Sequence, residues 1–226
     1  MKLSYTTQIS DKRRRLSITV ERDRSIVVHA PAGISDEKIR QAVESKRQWI
    51  HEKIKHPQKY MALPHPPGKE LVSGESALYL GRQYRIEVVK RGLAEVKFSH
   101  RFLVPAAGKK RTEVLKDWYL NRATEKLMPR VTVHSRALGV DVAQVRIVDL
   151  RYRWGSCSLK NNVTLNWRLI KAPMFVIDYV IVHELAHLIE SNHTPRFWSI
   201  VRAQTPTMEK AKNWLKEYGQ LLEQAI

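Results

Sequence analysis

The stretch VIVHELAHLIESNH, Val180 to His193, decides how this chain is read. It lies in a longer run, APMFVIDYVIVHELAHLIE (Ala172–Glu190), that opens at a proline and is apolar on nearly every side, which predicts a buried helix. Residues four apart on a helix project from one face, so His183 and His187 can offer their imidazoles to a common ion, with Glu184 beside them. This spacing suits zinc, and a catalytic zinc takes three protein ligands and one water. Glu184 is thereby left free to act as the base that removes the water's proton.

Spacing also points to the third ligand. Glu190 stands seven residues after His183, roughly 10 Å further along a helix axis at 1.5 Å per residue, too far to share one small ion with it. His193 would sit on the wrong face if the helix continued, so the helix is expected to stop before it. Asn192 tolerates the left-handed conformation that ends helices, and Thr194 followed by Pro195 can cap and open the next one. His193 is therefore assigned as the third ligand and Glu190 as a supporting or structural acid. The plainer reading is that the histidines are buried and satisfied by backbone or carboxylate partners. Burying His183, Glu184 and His187 on so apolar a helix without a compensating ion is costly, which favours the metal.

The rest of the composition sets limits. A chain of 226 residues with 43% hydrophobic and 27% charged residues has the balance of a folded globular protein, not a disordered one. Its N-terminus, MKLSYTTQISDKRRR, lacks the apolar core of a signal peptide, and no apolar run is long enough to cross a bilayer. Cys157 is the single cysteine, so no internal disulfide can form, in keeping with a reducing, cytoplasmic location. With no histidine near it in sequence, Cys157 reads as a small buried hydrophobe and not as a nucleophile. His29, His51, His56, His65, His100 and His134 are scattered without ligand spacing.

The net charge of +18 is unusual. Residues 1–110 hold 23 Lys and Arg against 11 Asp and Glu, a balance of +12, and residues 111–226 hold 17 against 11, or +6. The excess gathers in runs such as KRRR (Lys12–Arg15) and VKR (Val89–Arg91). Such a surface attracts nucleic acid, nucleotides or other polyanions, or is simply a solvated basic face, since no nucleic-acid-binding motif is recognisable.

Along the chain, LSITVER (Leu16–Arg22) and SIVVHAP (Ser25–Pro31) read as a hairpin. Ser35 can cap a helix carrying Ile39, Val43, Ile50 and Ile54 at helical spacing. The Pro-rich HPQKYMALPHPPG (His56–Gly68) reads as an extended connector, and ALYLGRQYRIEVVKR and AEVKFSHRFLVP as a pair of strands. From Thr112 to about Leu138 the pattern predicts one long helix, or two joined at Pro129. VRIVDLRYRWGSCS and VTLNWRLI then read as two strands around the turn LKNN, and Pro195–Ile226 as two helices separated near QTPT. The expected architecture is α+β, with a basic β-rich domain over residues 1–110 and a second domain over 111–226 in which a hairpin or small sheet packs on the histidine-bearing helix.

Several ordered motifs, RYRWGSCS (Arg151–Ser158), LNWRLI (Leu165–Ile170), VIDYVIVHELAHL (Val176–Leu188), NHTPRFW (Asn192–Trp198) and NWL (Asn213–Leu215), together resemble the YgjP-like zinc metallopeptidases, a family similar in its core to the SprT-like and WLM-type metallopeptidases. The basic KRRRLSITV and the VHAP after it resemble the family's leader region. The resemblance implies a zincin-like catalytic domain, one zinc ion on His183, His187 and His193, and Glu184 as general base, the assignment already reached from spacing. It also implies a polypeptide substrate lying along the hairpin, with Gly155 permitting close backbone approach and Ser156 supplying a polar contact. In one place the chain departs from the pattern: many relatives carry a tyrosine shortly after the late proline, where this chain has Met208 in TPTMEK. Oxyanion stabilisation then falls to another group, and Arg153, Asn166, Arg168 and Tyr179 are the candidates.

The leading expectation is a zinc-dependent hydrolase of peptide bonds. Two others compete with it: a zinc-dependent phosphohydrolase acting on nucleoside triphosphates, which the positive charge suits, and a nucleic-acid-binding protein with structural zinc. No glycine-rich phosphate loop is present to support the former.

Overall fold

The computed structural model describes residues 3–11, 13–21, 24–55, 70–106, 110–150 and 153–223. The connector expected over His56–Gly68 lies outside them. By its contacts the chain divides into two compact units, Met1–His65 and Pro66–Ile226.

The first unit is built on the expected hairpin. Strands β2 (Ser17–Val20) and β3 (Ile26–Pro31) pair antiparallel, with Ile18 opposite Val28. A strand that the sequence pattern did not suggest, β1 (Thr6–Ser10), pairs parallel with the other side of β3. The helix expected after Ser35 forms as α1 (Asp36–Ser45) and α2 (Arg47–Ile54), interrupted at Lys46, where φ is −106°. The apolar spacing survives the break, and Ile39, Val43 and Ile50 are buried in one core with Val20, Ile26, Val28 and Ala30. Ser35 occupies the cap position without a side-chain cap bond, so the acidic first turn, Asp36 and Glu37, is what favours this helix end.

In the second unit, β4 (Ser76–Tyr79) and β5 (Arg82–Val89) form a hairpin, β7 (Phe102–Pro105) pairs parallel with β5, and the short β6 (Lys97–Phe98) lies at the edge. The 28-residue α3 (Arg111–Leu138) comes next in the chain. The boundary expected near residue 110 falls elsewhere by contacts, because these strands share a core with α3: Tyr79, Phe98 and Phe102 pack against its Trp118 and each other. Helix α3 runs through Pro129 as one helix and ends at Gly139, whose left-handed backbone (φ 66°) closes it. Pro129 is tolerated inside it as part of a helix held on one side by that core.

The remainder holds the site. The run expected as a single strand before the turn divides into β8 (Gln144–Val148) and β9 (Gly155–Cys157), and both flank β10 (Asn162–Asn166), β8 parallel and β9 antiparallel. A 3₁₀ turn (Trp167–Lys171) leads into α4 (Met174–Ala186), and α5 (Pro195–Gln204) and α6 (Met208–Glu223) complete the unit. Apolar residues on most faces of α4 are buried as expected, among them Val176, Ile177, Ile181, Val182 and Leu185. The β4–β5 turn fixes the start of this helix. Leu80 N–H donates to Ile170 O and Gly81 N–H to Lys171 O, each at 2.9 Å. Gly81 has φ of +80°, and a Cβ there would come within 2.5 Å of Pro173 Cγ, so the close seat of the helix entrance requires glycine. On the far side, Arg130 of α3 holds Asp178 of α4 through two parallel hydrogen bonds, one of 2.6 Å from Nη2 to Oδ2.

An ion cluster ties the 3₁₀ turn to α3. Asp149 accepts from Lys116 Nζ at 2.9 Å and from Arg168. Partial burial pushes the Asp149 carboxyl up, but the hydrogen bonds and charges of Lys116 and Arg168 outweigh it and hold it at about 2. Because this lies below the unfolded value of about 4, the stabilisation is present above about pH 4 and is lost as pH falls through about 2. With Asp149 41% exposed, solvent screening reduces the contribution to on the order of 1 kcal/mol. Denaturant unfolding of the wild type and of Asp149→Asn should accordingly differ by about that amount near neutrality and converge toward pH 2.

Candidate metal centre

The three histidines expected as ligands come together. One ligand nitrogen from each of His183, His187 and His193 lies within 4.8 Å of the others. His183 is on α4, and His187 is the residue that ends it. The helix stops earlier than expected and by a different device. Leu188 and Ile189 turn back with bonds to Leu185 O and Ala186 O, both 3.0 Å, and Asn192 has no left-handed backbone. Thr194 then caps α5, its Oγ1 accepting from Phe197 N at 3.3 Å, with Pro195 at the first helical position. These turns carry His193 back over the end of α4. Glu190 does not join the cluster; its N–H donates to Ala186 O at 2.9 Å.

The donor set fits an ion. His183 Nε2 and His193 Nε2 are 3.1 Å apart, whereas nitrogens on one tetrahedral zinc stand roughly 3.4 Å apart at bond lengths near 2.0–2.1 Å. Burial first, then the neighbouring His187 and His193, pushes the His183 imidazole down to about 3. His183 is thus neutral at physiological pH, the form in which imidazole binds metal. Its Nδ1 is buried with no hydrogen-bond partner among the described residues, so Nε2 is the nitrogen turned to the cluster.

Beneath the imidazoles is a platform that sequence reasoning missed. Phe197 is fully buried and its ring lies 5.0, 4.6 and 4.7 Å from those of His183, His187 and His193. Trp198 stacks on His193 at 5.4 Å. Both come directly after Thr194–Pro195–Arg196, so the cap that turns the chain also delivers the rings that hold the imidazoles in place. The pair FW in NHTPRFW is the available signal, and only its three-dimensional placement gives it meaning.

Glu184 is 7% exposed, and burial pushes its carboxyl up to about 8, opposed by the charge of Arg153. Gly155 of β9 lies directly against it. Ser156 and Cys157 line an open cleft of about 450 Å³ together with Leu159, Glu184, His187 and Leu188. Burial and the nearby Glu184 push the Cys157 thiol up, which lowers its thiolate fraction and its nucleophilicity.

Two of the oxyanion candidates are spent elsewhere. Asn166 donates to Leu150 O (2.6 Å) and Arg153 O (3.0 Å) and accepts from Arg168 N. Arg168 pairs with Asp149 and lies over the Trp167 ring. Tyr179 is buried with its ring 6.0 Å from that of His183, and burial raises its hydroxyl pKa so that it remains a donor. Met208 is buried in the core, where it has no access to the cleft.

A family model described as YgjP-like, metallopeptidase domain, matches residues 14–218. The chain belongs to the YgjP-like metallopeptidase family. In class it is a zinc metallopeptidase, a metal-dependent hydrolase of peptide bonds. Among solved structures, the YgjP-like chain is similar to the metallopeptidase zymogen abylysin of Pyrococcus abyssi, at 26% identity over 44% of this chain and 99% of that one, with a TM-score of 0.38. It is also similar to the metallopeptidase zymogen jannalysin of Methanocaldococcus jannaschii, at 22% identity over 42% and 97%, again with a TM-score of 0.38. No curated protein matches it. No helix among the described residues is long and apolar enough to cross a membrane.

Proposed function

We propose that this YgjP-like chain is a cytoplasmic peptidase that hydrolyses extended polypeptide with one zinc ion held by His183, His187 and His193. The observation that carries the proposal is the convergence of three imidazole nitrogens, with one of these histidines, His187, and the buried Glu184 both lining an open cleft. When bound, zinc lowers the pKa of a coordinated water and polarises the scissile carbonyl. Held in its ionised form by the charge of a bound cation, Glu184 accepts the proton of the attacking water at its carboxylate and returns it to the leaving amine nitrogen as the peptide C–N bond breaks. Phe197 and Trp198 hold the imidazoles in place from beneath. Among the described residues strand β9 is paired on one side only, by β10, so its other edge can take an extended substrate by main-chain hydrogen bonds, with Ser156 as a polar contact. Arg153 and Tyr179 remain as groups able to stabilise the developing oxyanion.

Hydrolysis of a phosphoanhydride draws on the +18 charge. The cleft speaks against it. Among its described lining residues, Ser156, Cys157, Ser158, Leu159, Asn161, Glu184, His187, Leu188 and Ser191, none is a lysine or arginine, and Arg153, whose charge acts on Glu184, supplies one cation where a triphosphate calls for several. The basic surface is then free to attract nucleic acid or another polyanion independently of the chemistry. Removing the metal tests the proposal. Dialysis against a chelator should abolish cleavage of an unfolded polypeptide, and one equivalent of zinc should restore it. Undiminished cleavage by the metal-free protein would exclude the mechanism.

A further inference from the structure

Sequence assigns Gly155 to the substrate; its surroundings give it a different task. A Cβ built on Gly155 would stand 2.6 Å from Glu184 Cγ, 2.8 Å from Oε1 and 2.9 Å from Cδ. The three nearest atoms all belong to that one side chain. The strand is fixed where it is, because Gly155 pairs with Leu165 of β10 and Trp154 O accepts from Asn166 N at 2.8 Å. Asn166 is itself buried and anchored on Leu150 O and Arg153 O. Backbone therefore cannot easily retreat from Glu184, and the carboxylate can.

We propose that Gly155 is a positioning residue: the bare backbone of β9 forms the wall against which the Glu184 carboxylate is held. This rests on the assignment of Glu184 as the base. Any side chain at 155 must push the carboxylate away, since ordinary contact begins at about 3.4 Å and the built Cβ stands at 2.6 Å, leaving about 0.8 Å to be made up. The clash falls on Cγ first and on the carboxyl atoms beyond it, so the side chain must turn away as a whole and carry the carboxylate with it. Misplacement of a reacting group by about 1 Å costs on the order of 100-fold in rate.

The test is Gly155→Ala. We expect kcat to fall on the order of 100-fold, with KM changed less than about 3-fold and zinc stoichiometry unchanged. A crystal structure of the metal-free variant should show the Glu184 carboxylate displaced with β9 in place. If the variant is also less stable, Glu184→Asp gives a second reading. The shorter acid withdraws from the wall, so adding Gly155→Ala to Glu184→Asp should lower Tm less than it does beside Glu184. Wild-type kcat in Gly155→Ala, an undisplaced carboxylate, or an equal loss of Tm in both backgrounds would overturn the proposal. If Glu184→Gln were fully active, the assignment of the base would fail instead, which separates the two.

Discussion

Glu184→Gln is expected to bind one zinc ion as the wild type does and to cleave polypeptide roughly 100- to 10,000-fold more slowly, the range that a positioned general base supplies. The substitution preserves the shape of a side chain that is 7% exposed, so packing of α4 against β9 is kept. It removes the group that accepts the proton and leaves the histidines alone. Because burial pushes this carboxyl up to about 8 in the absence of an ion, a neutral amide is no harder to bury than the native group, and Tm should not fall. Parallel measurement of zinc content, Tm and kcat checks each part. A variant that lost its metal together with its activity would show that Glu184 acts through the site's assembly instead of as a base.

The second large effect is on metal affinity. His187→Ala removes one of three converging nitrogens, and the remaining pair cannot complete the coordination that a catalytic zinc requires. Removing a residue that merely supports a ligand costs roughly 10- to 100-fold in affinity. Loss of the ligand itself should exceed that, and competition with a chromophoric chelator reads it directly. The same change opens a gap beside Phe197, whose ring lies 4.6 Å from that of His187, so some loss of stability is expected as well. His193→Ala provides the cleaner comparison. His193 is the more exposed of the two, and its removal should weaken zinc binding while lowering the Tm of the metal-free protein less than His187→Ala does.

Much of this site is legible in the sequence, and the reason is periodicity. The HELAH spacing places two imidazoles on one face of any helix, and the apolar run around it leaves no other element for those residues. The place of the third histidine comes from the need for the chain to turn, and Thr194–Pro195 does open the next helix. The means of turning differs from the one expected at Asn192, because a helix can also end by tightening its last bonds without a left-handed residue. The hidden part is long-range. Phe197 and Trp198 read as ordinary apolar residues of an amphipathic helix until α5 is folded under the histidines. Gly155 looks like a turn or edge residue until β9 is seen against Glu184, twenty-nine positions later in the chain. A boundary near residue 110 matches a change of local pattern, but β4–β7 share one core with Trp118 and Tyr119 of α3 across it. Local composition does not report that shared burial.

The most direct test of the mechanism is product analysis by mass spectrometry. Zinc-loaded protein is incubated with an unfolded polypeptide and a mixture of nucleoside triphosphates together, beside Glu184→Gln treated in the same way. New peptides from the wild type, strongly reduced with Glu184→Gln and with the nucleotides intact, are the predicted result. Cleaved nucleotides without new peptides, or equal peptide yields from both proteins, would contradict it.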